Sequence, residues 1–312
     1  MNHLLVHATD PDTFCELLRQ CDLPELEIIC AADAAMARDA IRNCNIVLGE
    51  PPMIAGILDQ AQSLEWVQST FAGVEQFCAP GLRRDYILTG VKGVHGPLMS
   101  EYVFAYILAI ERHLFETKKN QESGMWVDIP YRSLRGVTLG ICGLGSVGKH
   151  LAQTASYFGM RVLGYKRTPA ETPFVERVYT GASFHEFLAE LDYLVLVLPN
   201  TPETNGLINM DTIKQMKPSA IIINGGRDNA VNESDLVTAL SKRMIRGAVL
   251  DVFKQEPLPA GSPLWALADL FITPHNAAFS FPRDIVEIFR ENYQRFIEKK
   301  PLMYKIDFER GY

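Results

Sequence analysis

Six residues near the middle of the chain, Gly143-Leu144-Gly145-Ser146-Val147-Gly148, constrain the fold more than any other segment. They follow an apolar run from Val137 to Cys142 that reads as a strand, and they open a helical pattern running from Val147 to Phe158. A glycine triad in that context is a dinucleotide fingerprint. The first glycine permits the tight turn, the second lets backbone approach a pyrophosphate, and the third lets helix pack on strand. The amide N–H groups of the helix N-terminus then face the phosphates.

The rest of the chain supplies the sheet such a motif needs. Short β-like runs (Leu4 to Val6, Glu27 to Cys30, Ile46 to Leu48, Trp66 to Ser69, Ile87 to Thr89) alternate with helix-like ones (Asp12 to Gln20, Ala34 to Arg42, Met53 to Gln60). Asp10-Pro11 reads as an N-cap followed by proline at the first helical position. The strand pattern restarts at Val137 and continues through Arg161 to Tyr165, Tyr193 to Leu198, Ala220 to Asn224, Gly247 to Asp251 and Leu270 to Thr273. Such alternation predicts an α/β chain of two doubly wound parallel-sheet domains, and 312 residues is long for a single core. Two helices need partners. Tyr102 to Ile110 is apolar on nearly every face and requires cover from another domain or subunit. Asp284 to Glu298 carries Ile285, Ile288, Phe289, Tyr293, Phe296 and Ile297 on one stripe and can return to the first domain.

Composition excludes several classes. A net charge of −7 argues against a general nucleic-acid surface, and Tyr102 to Ile110 is far short of the roughly 20 apolar residues needed to span a bilayer. The N-terminal residues lack a secretory pattern, so the expected location is the cytoplasm. The six cysteines show no metal-ligand spacing and read as reduced thiols, with disulfides the lesser alternative.

Where an NAD-binding chain places an acid after the second strand of the motif, this one has Lys166-Arg167-Thr168. Cations there attract a 2′-phosphate, one such pair being worth about 4 kcal/mol at an effective dielectric near 20 before desolvation. NADP(H) is therefore the expected cofactor, with NAD(H) the alternative. Arg227, Glu256 and His275 follow the ends of three later strand patterns, where an open α/β sheet has its ligand crevice. An arginine can grip carboxylate and carbonyl oxygens, a histidine can protonate the oxygen, and a carboxylate can fix the imidazole tautomer. Asp251, ending its strand, is placed to bond a nicotinamide carboxamide or to orient other polar groups.

The chain resembles the D-isomer-specific 2-hydroxyacid dehydrogenases, and within them the glyoxylate/hydroxypyruvate reductases. The match runs in order through Gly143 to Gly148, Leu198 to Thr204, Asn224 to Arg227, Leu250 to Phe253 with Glu256 to Pro259, Ser262 to Trp265, and Thr273 to His275. The resemblance implies a flavodoxin-like substrate domain (1–96 and 284–312) and a Rossmann cofactor domain (97–283). It also implies a catalytic set of Arg227, Glu256 and His275, with His275 as acid/base. Cofactor contacts would come from Gly143, Gly145, Ser146, Val147, Gly148, Lys166, Arg167, Thr168, Leu198, Pro199, Thr204, Gly225 and Asp251. The substrate would meet Phe71, Ala72 and Gly73 besides Arg227 and His275, in a site between the domains. A homodimer packed through the cofactor domains is implied as well. Two departures stand out: Lys166 in place of the usual aspartate, and Asp228 where the family has glycine after the arginine. The reading is an NADPH-preferring reductase of small 2-keto acids. Its rivals are an NAD-dependent dehydrogenase of another acid and a non-catalytic, dinucleotide-sensing corepressor-like protein.

Overall fold

The computed structural model describes residues 1–311. They form two compact units, one from Met1–Val94 together with the segment beginning at Ser280, the other from His95–Phe279. The first unit opens with β1 (Asn2–His7), α1 (Pro11–Arg19), β2 (Leu26–Cys30), α2 (Ala34–Ala40), β3 (Ile46–Gly49), α3 (Pro51–Ala55), β4 (Trp66–Ser69) and β5 (Ile87–Thr89). All five strands are parallel, in the order β2-β1-β3-β4-β5, which is the flavodoxin-like arrangement. Asp10 caps α1 by accepting from the Thr13 N–H at 3.2 Å, and Pro11 fills the first helical position.

The second unit contains α4 (His95–Glu111), α5 (Leu114–Glu122), β6 (Thr138–Cys142), α6 (Ser146–Tyr157), β7 (Arg161–Tyr165), β8 (Arg177–Tyr179), α7 (Phe184–Ala189), β9 (Tyr193–Leu196), α8 (Met210–Ile213), β10 (Ile221–Asn224), α9 (Glu233–Ser241), β11 (Gly247–Leu250) and β12 (Leu270–Ile272). Its seven parallel strands run β12-β11-β10-β9-β6-β7-β8, so strand order reverses between β6 and β9, beside the glycine triad. Alternation explains the apolar runs. Ile221 and Ile223 join Leu139, Ile141 and Val195 in the core under α4 and α6, while Ile222 enters the opposite core with Leu194, Leu196, Phe187 and Leu236.

The chain then returns to the first unit as α10 (Pro282–Ile297). Ile285, Ile288, Phe289 and Tyr293 pack there with Leu4, Val6, Ile46, Leu48 and Trp66. Trp66 is fully buried, stacks on Phe289 at 4.9 Å, and donates its indole N–H to Thr89 Oγ1 at 2.7 Å.

Several details differ from expectation. The helix expected over Met53 to Gln60 ends at Ala55, and after Gly56 and Ile57 only a one-turn 3₁₀ segment, Leu58–Gln60, follows. Strand β8 and helices α5, α7, α8 and α9 are additional to the elements the sequence pattern predicts. Cys15 on α1 and Cys30 at the end of β2 form a disulfide, because the α1 and β2 packing brings their Cα atoms to 6.3 Å. Cys21, Cys44, Cys78 and Cys142 are free. Within its own unit α4 is only partly covered: Val103, Phe104 and Ile107 are buried, but Ala105 is exposed and Tyr106, Leu108 and Ile110 are half-buried. No helix among the described residues is long and apolar enough to cross a membrane.

Glu111, the last residue of α4, is buried at 3 % exposure. Its carboxylate accepts from Arg132 Nε at 2.7 Å, from Arg246 Nη1 at 2.7 Å, and from the Tyr193 hydroxyl. Burial pushes the carboxyl upward, but the hydrogen bonds from Arg132, Tyr193 and Arg246 outweigh it and hold Glu111 below its ordinary 4.5. Its stabilising contribution is thus in full above pH 4.5 and is lost as pH falls through the lower folded value. Glu111→Ala should lower the unfolding free energy by about 2 kcal/mol, the cost of leaving the buried Tyr193 hydroxyl without its acceptor and the partly exposed Arg132 and Arg246 without their counter-charge. Urea unfolding at neutral pH checks this, and a loss under about 0.5 kcal/mol would show the cluster to be ornamental.

Candidate active site

The glycine triad is built as its sequence implies. Gly143 has φ +100, and a Cβ on it would lie 2.5 Å from the Val197 carbonyl oxygen. A Cβ on Gly148 would fall 1.9 Å from the Gly143 carbonyl oxygen, so only glycine lets α6 approach β6 this closely. At Gly145 the same atom meets nothing within 4 Å. That position faces open space in front of the turn, where added bulk would fill a cradle. Gly145 caps α6 without a side-chain hydrogen bond and no acid sits in the first turn, which leaves the N-terminal amides of α6 available to phosphate. The turn therefore fits a dinucleotide, which Gly143, Gly145, Ser146, Val147 and Gly148 would hold.

On either side of β6 stand β7 and β9. Lys166, Arg167 and Thr168 follow β7, and the Lys166 N–H is anchored on the Tyr179 carbonyl at 3.2 Å. Leu198, Pro199 and Thr204 follow β9, in a segment pinned by Thr204 Oγ1 donating to the Pro199 carbonyl at 2.8 Å. Glu203 lies in the same segment, a position no sequence pattern marks. Its own N–H, then the Thr201 hydroxyl, hold its carboxyl below the ordinary range, and the Arg167 guanidinium adds to the effect.

At the other end of the same sheet edge, β10, β11 and β12 pair with Asn224 beside Leu250 and Leu250 beside Ile272. Arg227, Asp251 and His275 lie three, one and three residues past those positions, so all three emerge beyond one edge. Three hydrogen bonds shape the turn after β10. Asn224 Oδ1 accepts from Gly226 N at 3.1 Å, its Nδ2 donates to Arg227 O at 2.9 Å, and its carbonyl accepts from Asp251 N at 3.0 Å. Gly225 and Gly226 are close-packed: a Cβ on the first would meet Met99 Sδ at 2.7 Å and on the second Leu198 N at 2.9 Å. Arg227 Nη1 donates to the Gly226 carbonyl at 2.9 Å. Asp228 starts a one-turn 3₁₀ segment, Asp228–Ala230, and has no positive φ, so the turn does not require the glycine that the family places there.

Glu256 and His275 are brought into direct contact. Glu256 Oε1 accepts from the Phe253 N–H at 2.9 Å, which fixes the carboxylate, and Oε2 lies 2.8 Å from His275 Nδ1. The neutral ring consequently carries its proton on Nδ1 and presents Nε2 outward. His275 has φ +52, an uncommon backbone for a residue with a Cβ. Asp251 is 2 % exposed, and both its oxygens serve the loop carrying His275: Oδ1 accepts from Thr273 Oγ1 at 2.6 Å and Asn276 N at 2.9 Å, and Oδ2 from Ala277 N at 3.0 Å. Phe71, Ala72 and Gly73 belong to the first unit, just past β4, where Phe71 is 40 % exposed and its N–H is held by Ser69 Oγ at 3.1 Å.

A family model described as the D-isomer specific 2-hydroxyacid dehydrogenase NAD binding domain matches residues 104–277, more than half of the chain. The chain belongs to that family. As such it is an NAD(P)-dependent oxidoreductase. Glyoxylate/hydroxypyruvate reductase A of Escherichia fergusonii is 32 % identical over 217 residues, 70 % of each chain. A crystal structure of a D-isomer specific 2-hydroxyacid dehydrogenase family protein from Aeromonas salmonicida subsp. salmonicida shares 45 % identity and a TM-score of 0.95, covering 98 % of this chain and 99 % of that one. The NADPH-dependent glyoxylate/hydroxypyruvate reductase of Sinorhizobium meliloti, solved with NADP and sulfate, shares 27 % identity and a TM-score of 0.89 over the full length of both.

The second and third glycines of the triad separate packing from ligand access. Gly148→Ala should lower Tm and abolish dinucleotide binding together. Gly145→Ala should leave Tm unchanged while raising the dinucleotide Kd about tenfold or more, because the added methyl occupies only the open side of the turn. Thermal melts paired with dinucleotide titrations check both, and unchanged binding in Gly145→Ala would remove the cradle.

Proposed function

We propose that this dehydrogenase reduces small 2-keto acids to D-2-hydroxy acids with a preference for NADPH, glyoxylate and hydroxypyruvate being the leading substrates. The observation that carries the reading is the 2.8 Å contact between His275 Nδ1 and Glu256 Oε2, on the same sheet edge as Arg227. The bound nicotinamide supplies the hydride. Arg227 would grip the substrate's carboxylate and carbonyl oxygens with its planar fork and steady the charge that develops on the latter. His275, protonated on both ring nitrogens, would donate the Nε2 proton to the carbonyl oxygen and be left neutral with its Nδ1–H held by Glu256. Backbone amides at Ala72 and Gly73, beside Phe71, would bind the substrate carboxylate.

The NADP(H) preference rests on Lys166, Arg167 and Thr168 standing where an acid would repel a 2′-phosphate. Leu198, Pro199, Thr204 and Gly225 would line the rest of the dinucleotide, and the remaining lone pair on Asp251 would suit the carboxamide. The reading includes a homodimer and a cytoplasmic location. Half-buried Tyr106, Leu108 and Ile110 on α4 support a second copy, as does α5, which buries no side chain while exposing Leu114 and Phe115. The Cys15–Cys30 bond pulls the other way on location, since reducing compartments disfavour disulfides.

Oxidation of NADPH and of NADH against glyoxylate, hydroxypyruvate, pyruvate and phenylpyruvate tests the proposal. Glyoxylate or hydroxypyruvate should give the highest kcat/KM, and NADPH should exceed NADH by about tenfold or more. His275→Ala should lose about a thousandfold in kcat while keeping its NADPH Kd. A preference for NADH, or turnover that survives the loss of His275, would overturn the corresponding part.

A further inference from the structure

Residues flanking His275 are tied to a helix far away in sequence. Tyr102 on α4 places its hydroxyl 2.8 Å from Thr273 Oγ1. Thr273 spends its single hydroxyl proton on Asp251 Oδ1 at 2.6 Å, so between the two hydroxyls Tyr102 is the donor. Burial pushes the Tyr102 phenol far above its ordinary value, despite the contact with Thr273, so it keeps that proton. Asp251 receives this donor on one side of His275 and the Asn276 and Ala277 N–H groups on the other, while its own carbonyl accepts from His275 N at 2.9 Å. The Thr273 hydroxyl and the N–H groups of Asn276 and Ala277 thus converge on one buried carboxylate, while the His275 N–H itself is held by the backbone carbonyls of Asp251 and Thr273. A side-chain-bearing residue at φ +52 persists only where its surroundings over-determine it.

We infer that Tyr102, Thr273 and Asp251 form a directed hydrogen-bond relay that positions the His275 imidazole, making Tyr102 and Thr273 positioning residues for proton donation. The inference rests on the reading of His275 as the donor. Each hydroxyl polarises the next, so removal of either proton loosens the grip of Asp251 on the loop. The imidazole would then wander from Glu256, and misplacement of a reacting group by a fraction of an ångström slows chemistry without weakening ground-state binding.

Tyr102→Phe, Thr273→Val and Thr273→Ser separate this role from packing. The first two should lower kcat about tenfold, with the keto-acid KM and NADPH Kd within about twofold of wild type, and Thr273→Ser should recover most of the loss. A second readout is independent of turnover. In ¹⁵N-histidine-labelled protein the His275 Nδ1–H, identified by its absence in Glu256→Gln, should exchange slowly with water in wild type and Thr273→Ser but rapidly in Thr273→Val and Tyr102→Phe. Wild-type kcat and slow exchange in both defective variants would overturn the relay. Should the wild type reduce no keto acid at all, the functional reading fails, and the exchange measurement alone decides the relay. Tyr102→Phe, which deletes a single oxygen, keeps the test open if Thr273→Val does not fold.

Discussion

The register of β10, β11 and β12 is the constraint on which the site depends. Parallel strands can present side chains beyond a common edge only if their ends are level. Asn224, Leu250 and Ile272 are level here through direct pairing. A one-residue slip of β11 would turn its side chains to the opposite face and carry Asp251 away from the His275 loop. The buried Asn224 guards against that. It accepts from Asp251 N with its carbonyl while its amide shapes the turn to Arg227, so one residue ties the end of β11 to the arginine. Fully satisfied, such a polar group specifies one arrangement. Left unsatisfied at 1 % exposure, it would oppose folding.

The same economy holds α4 in place. An apolar helix has no polar stripe to set its rotation, and ridges of similar side chains can pack in several ways. Glu111 at one end, gripped by Arg132 and Arg246 from different segments, fixes the rotation with charge. Tyr102, midway along the helix, does so with a hydrogen bond to Thr273. Between them Val103, Phe104 and Ile107 find their places in the core. The rotation that the ion cluster sets is therefore the rotation that aims Tyr102 at the His275 loop.

How much of this was legible in the sequence follows from what each element buries. β1 to β7 and β9 to β12 were readable because both faces of a covered parallel sheet demand apolar residues. β8 has three residues, of which Arg177 is exposed and only Tyr179 is fully buried, so no run betrays it. α5 buries nothing and hence shows no stripe. The placement of Arg227 and His275 beyond one sheet edge, with Glu256 in contact with His275, was readable because residues just past strand ends have a place in the pattern. Tyr102 was not, since its partner lies 171 positions away and nothing local marks it. Nor was the Cys15–Cys30 bond, whose pairing depends on how α1 lies against β2 rather than on any spacing motif.

The exposure of the Glu256–His275 pair bears on the role proposed for it. With 36 % and 54 % of their side chains open to water, the two groups attract each other through a high dielectric. Pairs of that kind contribute less than about 1 kcal/mol to folding. A contact of so little structural worth is nevertheless built carefully. One carboxylate oxygen is spent on the Phe253 N–H to fix the rotamer, and the imidazole is mounted on a backbone conformation that a buried aspartate must hold. Stability does not repay that construction, whereas orientation does. In the proposed role, an imidazole with its Nδ1 proton engaged can turn only one nitrogen toward a ligand, and displacement of the surrounding water would strengthen the contact as the proton moves.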